Sequence, residues 1–256
     1  WDVWAQRCLC YEKQQSLSSP SSHRQPGRMP APLSIIIPAL DAEPVLPACL
    51  ASLMPGLETG LIREVIVVDA GSEDQTRRIA EGAGARVITA SEQGRAAQMR
   101  QGFDEARGDW FLFLHADTAL SRDWAERTKS HIAERRQKAA AFTLAYRSDH
   151  PMAKVVARRA NWRSRKLGLP YGDQGLLISR KLYTEIGGYP HTPFMEDVQI
   201  IRAIGKKRLA ILSAEARTDA SKYERDGWRK RSWRNAYLIS RYLLGANPEK
   251  LAKSYT

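Results

Sequence analysis

Cysteine is scarce in this chain. Cys8, Cys10 and Cys49 are its only three, an odd number without zinc-ligand spacing. That excludes a disulfide framework and a structural zinc site, and it points to a reducing compartment. No run of apolar residues approaches the roughly 18 needed to span a bilayer; even Ala236 to Leu244 is interrupted by Arg241. The N-terminal stretch has no apolar core of the kind a secretory signal carries. Glycine is missing where a dinucleotide fold requires it, since the first β-branched run is followed by Pro38-Ala39-Leu40-Asp41-Ala42-Glu43. Without glycine the backbone cannot approach a pyrophosphate there, which argues against a nicotinamide or flavin enzyme. No Gly-Lys-Ser or Gly-Lys-Thr occurs, so there is no P-loop. Helix-turn-helix, zinc-finger and RNP signatures are absent too, and no nucleic acid is expected as a partner.

What is present is a chain of 256 residues with 43% hydrophobic content, enough for one α/β domain with appendages. A net charge of +12 implies an anionic partner, and charge alone does not choose among nucleic acid, a phospholipid surface and a phosphorylated small molecule. Much of the charge lies from Arg202 onward, where fourteen Lys and Arg face five Asp and Glu. Residues 1–28 are rich in Ser, Gln and Pro and are expected to form a disordered leader upstream of a start at Met29. The expected domain runs over 29–222, followed by a basic amphipathic helical segment over 223–256.

From Met29 onward, strand and helix patterns alternate. Leu33–Ile37 and Glu64–Asp69 read as strands, and Glu43–Met54 between them has helical spacing. After Asp69, Gly71 permits a tight turn, and Ser72 can cap a helix through Thr76 and Ile79. Arg86–Thr89 is a third strand, Gly94–Arg107 a helix, and Trp110 to Leu114 a run apolar enough for a strand buried on both faces. This alternation predicts a doubly wound, mainly parallel sheet with helices on both faces and right-handed crossovers. Further on, Ser121–Lys138 reads as a helix, Ala139–Tyr146 as a strand, His150–Gly168 as a basic helix, and Tyr171–Gln174 as a polar loop before another strand.

Open α/β sheets bind ligands at the carboxyl edge of their strands. Three strand ends here carry acids: Asp41 or Glu43, then Asp69, then Asp117. A carboxylate such as Asp117 can hold Mg²⁺ or Mn²⁺ against a diphosphate, because these cations take oxygen ligands and keep positions open for phosphate. Glu196 and Asp197 precede the helical pattern Val198, Ile201, Ile204, so they stand at a helix N-terminus, which favours their ionised form. Asp173 and Gln174 are candidate acceptor ligands or parts of a turn. In Trp228-Arg229-Lys230-Arg231, Trp228 and Arg229 are further acceptor candidates, and Arg229 or Arg231 can neutralise a leaving diphosphate.

In order, Ser34 to Glu43, Val65 to Asp74, Phe113 to Asp117 and Met195-Glu196-Asp197 resemble the motifs of a family 2 glycosyltransferase with the GT-A fold, a Rossmann-like α/β architecture. The resemblance implies a nucleotide-diphosphate sugar donor, a divalent cation (Mg²⁺ or Mn²⁺) and inversion at the anomeric carbon. It also implies that Pro38, Asp41 and Glu43 flank the nucleotide, that Asp69 binds the base, and that Gly71, Ser72 and Asp74 complete that turn. Asp117 then matches the last acid of the Asp-X-Asp metal motif, and Asp197 the catalytic base, with Glu196 beside it orienting acceptor or backbone. The first acid of the metal motif is replaced by His115, as in a subgroup associated with radical-SAM and selenodomain proteins. Histidine is not a hard oxygen ligand, so His115 is expected on ribose or diphosphate while Asp117 ligates the metal. The basic aromatic C-terminal helix makes a lipid-linked or other apolar acceptor attractive, with the protein in the cytoplasm or peripheral on the inner face of a membrane. The competing reading is a noncatalytic scaffold that binds an anionic membrane.

Overall fold

The computed structural model describes residues 31–192, 194–246 and 251. The leader expected over 1–28 and the last part of the 223–256 segment lie outside the described residues. The first half of the chain follows the expected alternation. Strands β1 (Leu33–Ala39), β2 (Ile62–Asp69), β3 (Arg86–Thr89) and β4 (Trp110–Phe113) stand side by side as β3-β2-β1-β4, and all three pairings are parallel. Side chains of a strand point alternately to opposite faces, so an unbroken apolar run fills two cores. Leu33, Ile35 and Ile37 join one cluster with Trp124, and Ile36 joins the other with Met99 and Phe111.

Helices α1 (Leu46–Ala51), α2 (Met54–Glu58), α3 (Thr76–Gly82) and α4 (Arg95–Glu105) make the crossovers. The single helix expected over Glu43–Met54 is therefore two short ones. Each piece has a proline in its first turn. Proline has no N–H and its ring clashes with the preceding turn, so α1 cannot continue through Pro55 and a second helix starts there instead. Ser72 does not cap α3; its hydroxyl turns back to Asp69, and the Thr76 N–H is taken by Asp74 at 2.8 Å. At Gly102 in α4 a Cβ would run into the Ile36 side chain, so glycine lets this helix lie close on β1.

Beyond β4 the sheet continues with β7 (Leu176–Ser179), β6 (Ala139–Arg147), β8 (Leu209–Asp219) and β5 (Thr118–Leu120). Here β4–β7, β7–β6 and β8–β5 are antiparallel, while β6–β8 is parallel. The expected doubly wound fold thus has a parallel half and a mixed half. Residues 114–117 leave the sheet at the end of β4, and the chain re-enters it at the far edge as β5. His115 and Asp117 lie on that crossing. Because β1 pairs both with β2 and with β4, the winding reverses between β1 and β4, which opens a crevice at their carboxyl ends.

The remaining helices are α5 (Trp124–Glu134), α6 (Pro151–Leu167), α7 (Arg180–Glu185), α8 (Glu196–Ile204), α9 (Ser221–Asp226) and α10 (Trp228–Leu243), with a 3₁₀ turn at Gly172–Gln174. Helix α5 is shorter than its predicted span of Ser121–Lys138, because Ser121 donates to Asp123 just before the first helical turn.

Candidate active site

One rim of the crevice is made by the loops after β1 and β2. They are laced together by side chains that bind each other's backbone. The Asp41 N–H donates to Ser72 Oγ at 2.9 Å, and the Glu73 N–H returns to Asp41 Oδ1 at 3.0 Å. The Glu43 N–H donates to Asp74 Oδ2 and the Gln75 N–H to Glu43 Oε2, each at 3.0 Å. Asp69 is fully buried beneath, accepting from the Gly71 and Ser72 N–H groups and the Ser72 hydroxyl. Gly71 at φ +95° makes the turn that aims those amides back at the carboxylate. Pro38 is accommodated at the end of β1 because the β4 register stops opposite Ile36, so its missing N–H breaks no pairing on that side. Gln98 of α4 locks the two strand ends from below, donating to Ala39 O at 2.9 Å and Val68 O at 2.7 Å. Of the residues read from sequence as flanking the nucleotide, Asp41 and Glu43 remain exposed and Asp69 does not.

The other side of the crevice gathers residues from four segments. His115 is buried, with Nδ1 3.3 Å from Asp173 Oδ1. Its Nε2 is buried without a hydrogen-bond partner and faces Gly172, where an added Cβ would come within 2.6 Å of it. The Gly172 N–H donates to Asp197 Oδ2 at 2.9 Å, fixing the carboxylate at the start of α8. Asp117 Oδ1 accepts from Thr118 and Thr218 at 3.2 and 3.4 Å, and its carbonyl accepts from Arg147 and the Asp219 N–H. It therefore caps no helix; β5 and β8 hold it in place.

Arg95, the first residue of α4, ties these groups together. Burial works against its charge, but Glu196, Asp197, Asp173 and Asp117 together raise its pKa. Half of its side chain is open to solvent, so screening weakens each attraction. Its Nη1 is 3.5 Å from Glu196 Oε1. Asp173 is held below the usual carboxylate range: burial opposes this, and the His115 hydrogen bond with the charges of Arg95 and Lys222 outweighs it.

Glu196 shifts the other way. Burial and then the Asp197 charge push its carboxyl upward against the pull of Arg95. Its native form consequently keeps a proton that the unfolded chain has already released. In that interval the native state binds more protons, so stability falls as pH rises from the ordinary glutamate range through the raised native value. Glu196→Gln removes the penalty. Its melting temperature is expected to overtake the wild type as pH rises through that window and to match it more closely below; parallel melting curves across pH would reverse the assignment.

Three acceptor candidates are placed elsewhere. Gln174 is 1% exposed, with its amide donating to Phe142 O and its oxygen accepting from Ser164. Both ends are used, and the side chain pins the turn that presents Gly172. Trp228 is buried among Tyr146, Tyr223 and His150, while Arg229 is exposed and lines an open cleft of about 600 Å³ with His150, Met152, Glu224 and Lys230. Arg231 is buried and paired with Asp226. Gly172 and Arg95 escaped the sequence reading, as did Arg163, whose guanidinium lies 3.5 Å over the Tyr171 ring. A Gly-Arg step opening the helix after β3 was the available signal for Arg95.

Among the described residues no group of three or more His, Cys, Asp or Glu side chains could hold a metal ion. Asp117 nonetheless suits a cation that arrives with a diphosphate, since Mg²⁺ commonly uses one or two protein carboxylates and fills its other positions with phosphate and water. The donor set fits a shared ion better than one held by protein alone. None of the described helices is long and apolar enough to cross a membrane.

Residues 34–205 match the model of a protein family described as Glycosyl transferase family 2. A PGL/p-HBAD biosynthesis glycosyltransferase of Mycobacterium bovis is 37% identical over 143 residues, covering 53% of this chain and 51% of that protein. A glucosyl-3-phosphoglycerate synthase of Mycolicibacterium paratuberculosis is 37% identical over 93 residues, which is 33% of this chain and 28% of that one. This chain thus spans about half the length, or less, of these curated relatives. Among solved structures, glucosyl-3-phosphoglycerate synthase from Mycobacterium tuberculosis with Mn²⁺, UDP and glucosyl-3-phosphoglycerate shares the fold, with TM-score 0.55, 21% identity, and coverage of 76% of this chain and 77% of that one.

Proposed function

Because this chain belongs to glycosyl transferase family 2, we propose that it moves a sugar from a nucleotide-diphosphate donor to an acceptor hydroxyl with inversion at the anomeric carbon. One observation carries the reading: the β4 exit, the Gly172 turn and the starts of α4 and α8 meet through His115–Asp173, Gly172–Asp197 and Arg95–Glu196 contacts, which set carboxylates and a cation beside a rim of strand-end loops. Such a site has a positive group and a metal-competent carboxylate for a diphosphate, and a separate carboxylate for a proton.

In this reading the nucleotide lies against the Asp41, Glu43 and Asp69–Asp74 loops, with His115 on ribose or diphosphate. Asp197 takes the proton of the acceptor hydroxyl as its oxygen attacks the anomeric carbon, and the bond to the diphosphate breaks on the opposite face. Arg95 stabilises the charge that develops on the departing diphosphate. Asp117 would hold Mg²⁺ or Mn²⁺, which when bound withdraws negative charge from the same group. Glu196, through Arg95, orients the cation side, and Asp173 holds the His115 ring.

A uridine nucleotide is the first donor to test, since UDP and Mn²⁺ occupy the M. tuberculosis structure that shares the fold. The His115-Ala116-Asp117 motif supports placement in the radical-SAM and selenodomain-associated subgroup. The acceptor we assign is lipid-linked or otherwise apolar. Leu238, Ile239 and Tyr242 of α10 pack with Met195, Val198 and Tyr171 next to Asp197, so the acceptor side is walled by apolar groups. The exposed Arg229, Lys230, Arg234 and Arg241 of the same helix suit peripheral contact with the cytoplasmic face of a membrane.

The deciding experiment is a thermal-shift panel of UDP-, GDP- and dTDP-sugars with and without Mn²⁺, on wild type and Asp117→Ala. A ligand that binds only the native state stabilises it by about 2.7 kcal/mol at a hundredfold excess over Kd. One nucleotide should give a metal-dependent shift, and Asp117→Ala should abolish its metal dependence. Absence of any shift in the folded protein would favour a noncatalytic scaffold.

A further inference from the structure

Helix α10 has two apolar rows, and only one of them is used by the fold. The inward row contains Trp228 and Leu238, both buried, with Tyr242 partly buried beside them. Opposite it stand Trp233, Tyr237 and Leu244, which are 74%, 60% and 88% exposed. At 3.6 residues per turn, spacings of four and then seven keep these three in one line along the helix. Leu238, Ile239 and Tyr242 pack on the domain, and the outward row is a different set.

The flanks of the outward row are basic. Arg229, Lys230, Arg234 and Arg241 are all exposed, and no Asp or Glu occurs between Gly227 and Ala246. Arg241 also lies over Tyr237, 5.8 Å from the ring centroid. A row of Trp, Tyr and Leu bordered by Arg and Lys suits the boundary between headgroups and acyl chains, where indole and phenol rings sit at the polar level and cations meet anionic lipid. A second copy of this chain would set like charges against like.

We infer that the Trp233–Tyr237–Leu244 row and its basic borders dock on an anionic phospholipid surface. Because the inward row packs beside Asp197, docking holds the acceptor side of the site at the bilayer. The orientation rests on the acceptor reading given above, whereas the docking itself does not.

The test is sedimentation of the full chain with vesicles of phosphatidylcholine alone or mixed with phosphatidylglycerol. Wild type should pellet with the mixed vesicles only, and added salt should release it. Lys230→Gln with Arg241→Gln should weaken binding about 25-fold, roughly fivefold for each cation lost. The exposed-row variant Trp233→Ser, Tyr237→Ser, Leu244→Ser should stay in the supernatant while keeping the wild-type melting temperature and donor-induced shift. Wild type that remains in solution, a row variant that pellets like wild type, or displacement of the vesicles by a single-stranded oligonucleotide would each overturn the inference. Loss of the donor shift in wild type would instead overturn the proposed activity and leave the vesicle result standing.

Discussion

Asp197→Asn is expected to lower sugar transfer by about 10²- to 10⁴-fold, the range for removing a positioned general base, with donor binding intact. Asparagine matches the shape of aspartate and can still accept the Gly172 N–H bond that now ends on Oδ2. What it cannot do is take a proton. The signature is a fall in kcat at saturating donor, with an unchanged donor-induced thermal shift. Asp197→Glu separates chemistry from geometry: it restores the carboxylate but displaces it by about 1 Å, and a loss of about a hundredfold is the expected cost of such misplacement. An asparagine variant with near-wild-type kcat would remove Asp197 from the mechanism. Loss of donor binding in that variant would make the residue a donor ligand and leave the base unassigned.

Gly172→Ala should be nearly as damaging, although no chemistry is assigned to the residue. An alanine Cβ there would stand 2.6 Å from both Cε1 and Nε2 of His115, and 3.5 Å from Asp197 Oδ2. The His115 ring is buried and tethered to Asp173, so either the ring or the turn must move. Moving the ring breaks its contact with Asp173, and moving the turn withdraws the amide that fixes Asp197. We expect a loss of activity of about a hundredfold and a stability loss on the order of 1–3 kcal/mol from overpacking. Combining it with His115→Ala vacates the contested space. Stability of the double variant should then exceed the sum of the single effects, the mark of two residues in contact. Strict additivity in a denaturant series would show that the close approach has no energetic weight.

The strands of the parallel half were legible because burial on both faces writes them as continuous apolar runs, which Ile35–Ile37 and Val65–Val68 display without interruption. The acids at their ends were legible for a related reason: a carboxylate directly after such a run stands at the sheet edge, whether it is open there or, like Asp69, held by the turn that follows. Helix limits were less visible. A helical spacing of apolar residues over Glu43–Met54 conceals the division into α1 and α2, which the placement of Pro47 and Pro55 imposes. Gln174 stayed open between acceptor ligand and turn because a polar residue in a loop reads the same whether its amide meets solvent or, as here, Phe142 O and Ser164 Oγ. Arg95 is one of 40 Lys and Arg in the chain, and local sequence does not separate the one that meets Glu196 from the others.

The sequence by itself determined the α/β class and the parallel direction of the first four strands, and it singled out Asp117, Glu196 and Asp197 as the acids to examine. Those properties depend on period, composition and neighbours within a few residues. Tertiary structure alone decided which groups meet. His115, Gly172 and Asp197 are separated by 57 and 25 positions, and they touch only because the chain leaves the sheet after β4 while the turn before β7 and the start of α8 close over the exit. It also decided which apolar row of α10 is spent on the domain and which stays outside. Helical periodicity shows that two rows exist, but only the packing of Leu238 and Tyr242 against Met195 and Val198 selects the one that is buried.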